Sequence, residues 1–340
     1  MLAAVTVCPA CGGETVVAPA ALAQPIALRV PAARVTAARA YVVDGRTSEI
    51  TVYATGGKTD EPPVAVIGGR QTGLIQPTGV AVDSAGRIYV ANTYYPGSIT
   101  VFAADPSGHT RKPIAVISGG STGIDGPTGI AIGRDGRIYV VNNVGYPSSV
   151  TVYAANPRGN ITGRPLATIN GSNTDIHYPL AVALGPHDEI YVLNGYGQGY
   201  VTAYAAHPRG GLNEKPRATI GGGSTAFAGP DALAIAADGD VYVANATPSN
   251  GYLGYVTVYP PPRGDFSGPP LAVIGGVRSG VQFPAGVTLD GDGEIYVTNE
   301  YANTITVYAA NPVGAVSGLP IAAIHGRATE LARPIGIALH

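Results

Sequence analysis

One segment recurs along the chain on a period near fifty residues, and that repetition constrains the fold more than any other feature. Pro77-Thr-Gly-Val-Ala-Val82, Arg87-Ile-Tyr-Val-Ala-Asn92 and Ser98-Ile-Thr-Val-Phe102 return almost unchanged as Pro127-Thr-Gly-Ile-Ala-Ile132, Arg137-Ile-Tyr-Val-Val-Asn142 and Ser149-Val-Thr-Val-Tyr153. Related units begin at Pro179, Pro230 and Pro284, and a last fragment begins at Pro334. These marker prolines stand 50, 52, 51, 54 and 50 residues apart. Length alone suggests two domains for 340 residues; the repeat makes them one.

Each unit reads as four short strands. In the unit at Pro77 they are Gly79–Val82, Arg87–Ala91, Ile99–Ala103 and Ile114–Ile117, rich in β-branched and aromatic residues and separated by turn signals such as Gly86 and the Gly119-Gly120 pair. Composition agrees. The 48 Gly and 29 Pro are too many for a helical bundle, and a net charge of −2 with 45% hydrophobic residues does not describe a disordered chain. Four-stranded units at this period predict an all-β, six-bladed β-propeller of antiparallel blades. The small residues of the first strand suit the innermost position, where blades crowd the axis.

Closure is legible as well. The chain ends on a first strand, Ile335–Leu339, with no second strand behind it, while Tyr41–Asp44 and Ile50–Tyr53 are second and third strands with no first strand before them. The C-terminal strand therefore completes the N-terminal blade. Residues 39–340 form the propeller and residues 1–38 stand outside it.

The pattern Pro-x-Gly-(Ile/Val)-Ala followed by Asp-x-x-Gly-x-Ile-Tyr-Val-x-Asn resembles the NHL repeat over roughly residues 40–340. It is also similar to six-bladed propellers of the gluconolactonase and senescence-marker type. The lactonase resemblance implies calcium ligands, mostly Asn and Asp, just before the inner strands, plus a Glu. The matching positions here are Thr78, Thr128, Leu180, Asp231, Ala285 and Ile335, of which Asp231 alone is a strong ligand.

Two aromatic rings repeat in every blade and are read as core: Tyr41, Tyr89, Tyr139, Tyr191, Tyr242 and Tyr296 on second strands, and Tyr53, Phe102, Tyr153, Tyr204, Tyr259 and Tyr308 on third strands. A third ring ends the second strands: Asp44, Asn92, Asn142, Asn194, Asn245 and Asn299. Local turn chemistry accounts for it; the alternative is an oxygen-lined cation site which, with Asp231, would serve a calcium-dependent lactonase-like hydrolase.

The other nine tyrosines, Tyr94, Tyr95, Tyr146, Tyr178, Tyr196, Tyr200, Tyr252, Tyr255 and Tyr301, fall in loops that leave the second strand or enter the first. In an up-and-down blade these loops share one face, here called the top. Charged residues concentrate on the opposite face. Exposed tyrosines with few charges offer apolar planes with polar tips to a protein, a glycan or a second copy of the chain. The 20 Lys and Arg against 22 Asp and Glu leave no basic field for nucleic acid.

Ahead of the blades, Cys8-Pro-Ala-Cys11 resembles half a zinc knuckle, with a disulfide or redox role equally open. Ala21-Leu-Ala-Gln24 looks like an export cleavage site, so residues 1–38 are read as a remnant export segment or a subunit-contact arm. No stretch reads as a transmembrane helix. The combined expectation is a secreted or surface-exposed module that binds or assembles rather than catalyses, without a cofactor.

Overall fold

A computed structural model describes residues 38–55, 59–106, 108–110, 112–144, 148–247 and 253–340. Six sheets form the expected propeller. Blade 1 comprises Pro334–Leu339, Arg39–Asp44, Glu49–Ala54 and Ala65–Ile67; blade 2, Pro77–Val82, Ile88–Asn92, Ser98–Phe102 and Ala115–Ile117; blade 3, Pro127–Ile132, Ile138–Asn142, Ser149–Tyr153 and Ala167–Asn170. Blade 4 holds Pro179–Leu184, Ile190–Asn194, Tyr200–Tyr204 and Ala218–Ile220; blade 5, Pro230–Ile235, Val241–Asn245, Tyr255–Tyr259 and Ala272–Gly275; blade 6, Pro284–Leu289, Ile295–Asn299, Thr304–Tyr308 and Ala322–Ile324.

The ring closes as read from the sequence. Pro334–Leu339 runs antiparallel to Arg39–Asp44, with Tyr41 opposite Ala338 and Val42 opposite Ile337. Arg39 and His340 exchange both backbone hydrogen bonds, at 2.7 and 3.0 Å. The apolar alternation of each blade packs against the next. Blade 2 contributes Tyr89 and Ile99 to one cluster with Ile138 and Tyr153 of blade 3, and Tyr41 and Val52 of blade 1 meet Val90 and Phe102 of blade 2. Both aromatic rings are buried throughout.

Near the axis the blades approach so closely that the third residue of each inner strand is Gly or Ala. A Cβ on Gly129 would lie 2.9 Å from Ala181 Cα, and one on Gly336 would lie 2.7 Å from the Thr78 carbonyl oxygen. The inner strands also bulge at their second residue, as between Pro77 and Gly79 or Pro230 and Ala232. A bulge leaves that residue out of the ladder and re-aims its side chain, so Thr78, Thr128, Leu180, Asp231 and Ala285 line the upper mouth of the axial channel.

The blades are not purely antiparallel. Four of the six sheets carry a fifth strand, laid parallel on the outer edge by the loop joining the third and fourth strands of the next blade. Gly108–Thr110 pairs with Ala65–Ile67, Gly159–Ile161 with Ala115–Ile117, Gly210–Leu212 with Ala167–Ile169, and Gly314–Val316 with Ala272–Ile274. Blade 4 receives a shorter version, a parallel bridge from Ile220 to Phe266. The physical reason is the unpaired peptide groups an outer edge would otherwise present to water.

Gly129→Val is expected to lower stability by about 1–3 kcal/mol, the usual range for overpacking a filled core. Chemical denaturation of the purified chain measures this; an unchanged midpoint would refute close blade approach as the reason for glycine there.

Candidate functional site

The Asp/Asn ring is buried, and its side chains do more than cap a local turn. In each blade the side-chain oxygen accepts a backbone N–H from the loop entering that blade's first strand: Ile75 to Asn92 at 3.1 Å, Asp125 to Asn142 at 3.0 Å, His177 to Asn194 at 3.0 Å, Ala228 to Asn245 at 3.1 Å, Gln282 to Asn299 at 2.9 Å, and Ala332 to Asp44 at 3.0 Å. The amide nitrogens donate to third-strand hydroxyls, for example Asn142 to Thr151 and Asn299 to Thr306, both at 3.1 Å. Each side chain thus clamps three strands at the top of its blade. Third-strand tyrosines add a second clamp, as Tyr153 and Tyr308 donate to the carbonyls of Thr122 and Ser279 at 2.9 and 2.7 Å.

These residues do not fit the calcium site that the lactonase resemblance implies. Calcium takes about six to eight oxygen ligands, whereas the ring's oxygens are already hydrogen-bonded to backbone. At the channel mouth the hydroxyls of Thr78 and Thr128 reach the Pro127 and Pro179 carbonyls of the adjacent blades. Asp231 is the one carboxylate lining that mouth, and no cluster of three or more His, Cys, Asp or Glu able to hold a metal ion occurs among the described residues. Asp231 is exposed at the channel mouth; desolvation by the surrounding protein first, and then the Glu300 charge, push its carboxyl up to about 6.

The nine top-face tyrosines divide. Tyr94, Tyr95, Tyr178, Tyr196 and Tyr301 are exposed, each by 60% or more. Tyr200 and Tyr255 depart from the loop reading: they open third strands, where their hydroxyls donate to the Asp175 and Ala226 carbonyls at 3.0 and 2.9 Å, leaving Tyr200 half-buried and Tyr255 buried. A strand's first residue lies beside the loop entering the inner strand, which gives the phenol a local acceptor. Tyr146, Tyr252, Cys8 and Cys11 lie outside the described residues, as do residues 1–37.

Among the described residues the exposed tyrosine rings stand on blades 2, 4 and 6. On blade 4 the Tyr178 and Tyr196 rings are stacked, 8° from parallel with centroids 6.2 Å apart, and His177 lies 5.9 Å from Tyr196. On blade 6 Tyr301 meets Phe283 edge-on at 4.5 Å, with the Arg333 guanidinium 6.0 Å from its centroid and ion-paired to Glu300. Tyr94 and Tyr95 form a separate station on blade 2. Sequence reasoning places His177 on the top face only as a lone loop residue, and it missed Phe283 and Arg333. The reason is conformational: the residue before each marker proline adopts a left-handed backbone, with φ of 49° at Tyr178, 50° at Phe283 and 58° at Arg333, which turns its side chain out of the strand.

With this geometry in hand, the NHL repeat model matches residues 74–102, which hold the first three strands of blade 2. The chain carries an NHL repeat. No curated protein matches the sequence. A chain from a nidogen/laminin complex superposes with a TM-score of 0.55 at 15% identity, over 89% of this chain and 98% of that one. A protein of unknown function from Bacteroides caccae gives 0.60, 15%, 89% and 98%. The periplasmic gluconolactonase PpgL of Pseudomonas aeruginosa gives 0.56, 15%, 89% and 99%. Such identities establish a shared fold, which hosts both binding and chemistry. No helix among the described residues is long and apolar enough to cross a membrane.

Two outcomes are expected. Burial, only partly offset by the Ala332 N–H and the Thr51 hydroxyl, pushes the Asp44 carboxyl from 3.8 to about 6. The folded chain then holds a proton that the unfolded chain releases, so this group's contribution is full below the unfolded value and is lost as pH rises through about 6. Asp44→Asn, which copies the other five blades, should stabilise the protein at pH 7.5 by on the order of 1–3 kcal/mol and have little effect at pH 4. Equal effects at both pH values in urea titrations would remove the argument. Millimolar calcium chloride should leave the melting temperature unchanged; a calcium-dependent rise lost in Asp231→Ala would reinstate the cation site.

Proposed function

We propose that this protein is a binding module that engages another protein through the tyrosine-bearing top of the propeller. The observation that carries this reading is the exposure of Tyr94, Tyr95, Tyr178, Tyr196 and Tyr301 on one face, at three stations among the described residues. Buried aromatic rings need no partner, and these are not buried. Tyrosine at an interface supplies contact area with little rotamer entropy to lose and a hydroxyl for the polar rim. The clamps beneath the loops hold the stations on a rigid scaffold, which keeps the entropic cost of docking low. The fold shared with a chain of a nidogen/laminin complex is compatible with a protein partner.

The test is a variant carrying Ser at all five positions, compared with a control bearing Arg137→Ser on the opposite face. The five-fold variant should keep its melting temperature and lose captured partner, while the control retains it. Single Tyr→Ser changes at anchoring positions should each weaken binding by about tenfold or more. Partner capture that survives the five-fold change would locate the interface elsewhere. Loss of binding only on a glycan array, or only of self-association in light scattering, would replace the protein partner with one of those ligands.

A further inference from the structure

The top of blade 4 holds a cleft of about 490 Å³, and every residue lining it falls within the described span 148–247. Tyr196, Tyr200, Asp175 and Gln198 border it, together with the Gly221-Gly222-Gly223 run that follows the fourth strand. Those three glycines make the room. The corresponding triplets are Gly68-Gly69-Arg70, Ser118-Gly119-Gly120, Asn170-Gly171-Ser172, Gly275-Gly276-Val277 and His325-Gly326-Arg327, so blade 4 alone carries no side chain at any of the three places. A Cβ on Gly221 would lie 3.0 Å from the Tyr200 Cβ, so the missing side chain also seats that tyrosine.

Asp175 is the unexpected member. It stands four residues before the marker proline, a place held by Gly73, Gly123 and Gly280 in three other blades. The backbone there is left-handed, with φ of 52° at Asp175, a conformation that disfavours any side chain. An aspartate is tolerated in it when its carboxylate bonds locally. This one makes no hydrogen bond or ion pair among the described residues, and it is exposed. The backbone beneath it is nonetheless fixed: the Tyr200 hydroxyl donates to the Asp175 carbonyl at 3.0 Å, the Tyr204 hydroxyl donates to the Thr174 carbonyl, and Thr174 and Ile176 are buried. Blade 5 repeats the tyrosine as Tyr255 but puts Ala226 where Asp175 stands. The carboxylate, not the phenol, sets blade 4 apart.

The cleft therefore joins two groups that attract the same kind of ligand. A tyrosine face draws a cation, and an unpaired carboxylate draws a charged hydrogen-bond donor. No Lys or Arg lines the cleft to compensate either. Tyr178, stacked 8° from parallel on Tyr196, holds that ring in place without entering the cleft. Burial first, and then the charges of Asp175 and Tyr196, push the Tyr200 phenol up to about 12, in line with a negative field there.

We propose that the blade 4 cleft receives an arginine side chain of the partner protein, its guanidinium paired with the Asp175 carboxylate and stacked on the Tyr196 ring. The inference rests on the top face being a protein-binding surface and names what blade 4 contributes to it. Arginine fits better than lysine because its planar fork can meet a carboxylate at its edge and an aromatic ring with its face.

The probe is an array of immobilised hexapeptide pools, one position fixed as Arg, Lys, Ala or Glu and the others randomised, exposed to the labelled full chain. The Arg pools should exceed the Ala pools about fivefold, and the Lys pools should gain less. Tyr196→Ser and Asp175→Gly should each bring the Arg pools down to the Ala level. Asp175→Gly copies three other blades and should also raise the melting temperature, which separates lost binding from lost fold. An Arg gain no larger than the Lys gain, or one that survives Asp175→Gly, overturns the proposal. So does Asp175-dependent binding to a glycan array in place of the peptides, which would assign the cleft to a sugar. The two readings fail separately. Partner capture that depends on Tyr94, Tyr95 and Tyr301 but ignores Asp175→Gly keeps the top face and removes the arginine site. An Asp175-dependent Arg gain, with capture indifferent to those three tyrosines, keeps the arginine site and removes the wider interface.

Discussion

An unpaired strand edge is the constraint on which this structure turns. Its backbone donors and acceptors must find water, a neighbour or another chain. Along the axis the ring solves this by closure, with Pro334–Leu339 laid beside Arg39–Asp44 so that no inner strand is left without a second. At the periphery it is solved in blades 1, 2, 3 and 5 by the third-to-fourth-strand loop of the next blade, which reaches back to pair with the outer strand. Small residues at the axis, marker prolines at the strand starts and glycines in the peripheral loops all serve one requirement, that every sheet meet its neighbours at both edges.

The top of the propeller rests on the Asn and Tyr clamps, which tie second and third strands to the loop entering the first. Their burial explains why two conspicuous polar and aromatic rings are structural while less regular tyrosines are exposed. A residue that recurs in all blades satisfies a need that recurs in all blades, as Asn142 does for the Asp125 N–H. A residue present in only some blades, such as Tyr196 or Tyr301, answers no such need. Asp44 is the one carboxylate in its ring, and burial makes its charged form costly.

Much of the fold was legible because the repeat displays the same physical problem six times. Strand order, blade number, closure and the buried rings all follow from alternation and spacing. The parallel fifth strands were not legible. Segments such as Gly159-Asn-Ile161 read as turn sequence, and their pairing depends on how far the next blade lies from them. The candidate face was half legible: Tyr178 and Tyr196 were identified as top-face residues, but their stacking, and the joining of His177 and Arg333 to the aromatic stations, depend on left-handed residues whose direction only φ reveals.

The sequence by itself determined the propeller, since a near-50-residue period of four β-rich segments with complementary ends has one economical way to pair its strands. Tertiary structure decided which tyrosines face water and how far each outer strand is covered. Tyr200 and Tyr196 are four residues apart in one segment, yet one finds the Asp175 carbonyl while the other finds solvent. Ala322 and Ala272 occupy the same place in the repeat, yet one is exposed and the other covered. In both comparisons the difference lies in what a distant part of the chain brings into contact, a quantity set by packing between blades and not by the residue's own neighbours in sequence.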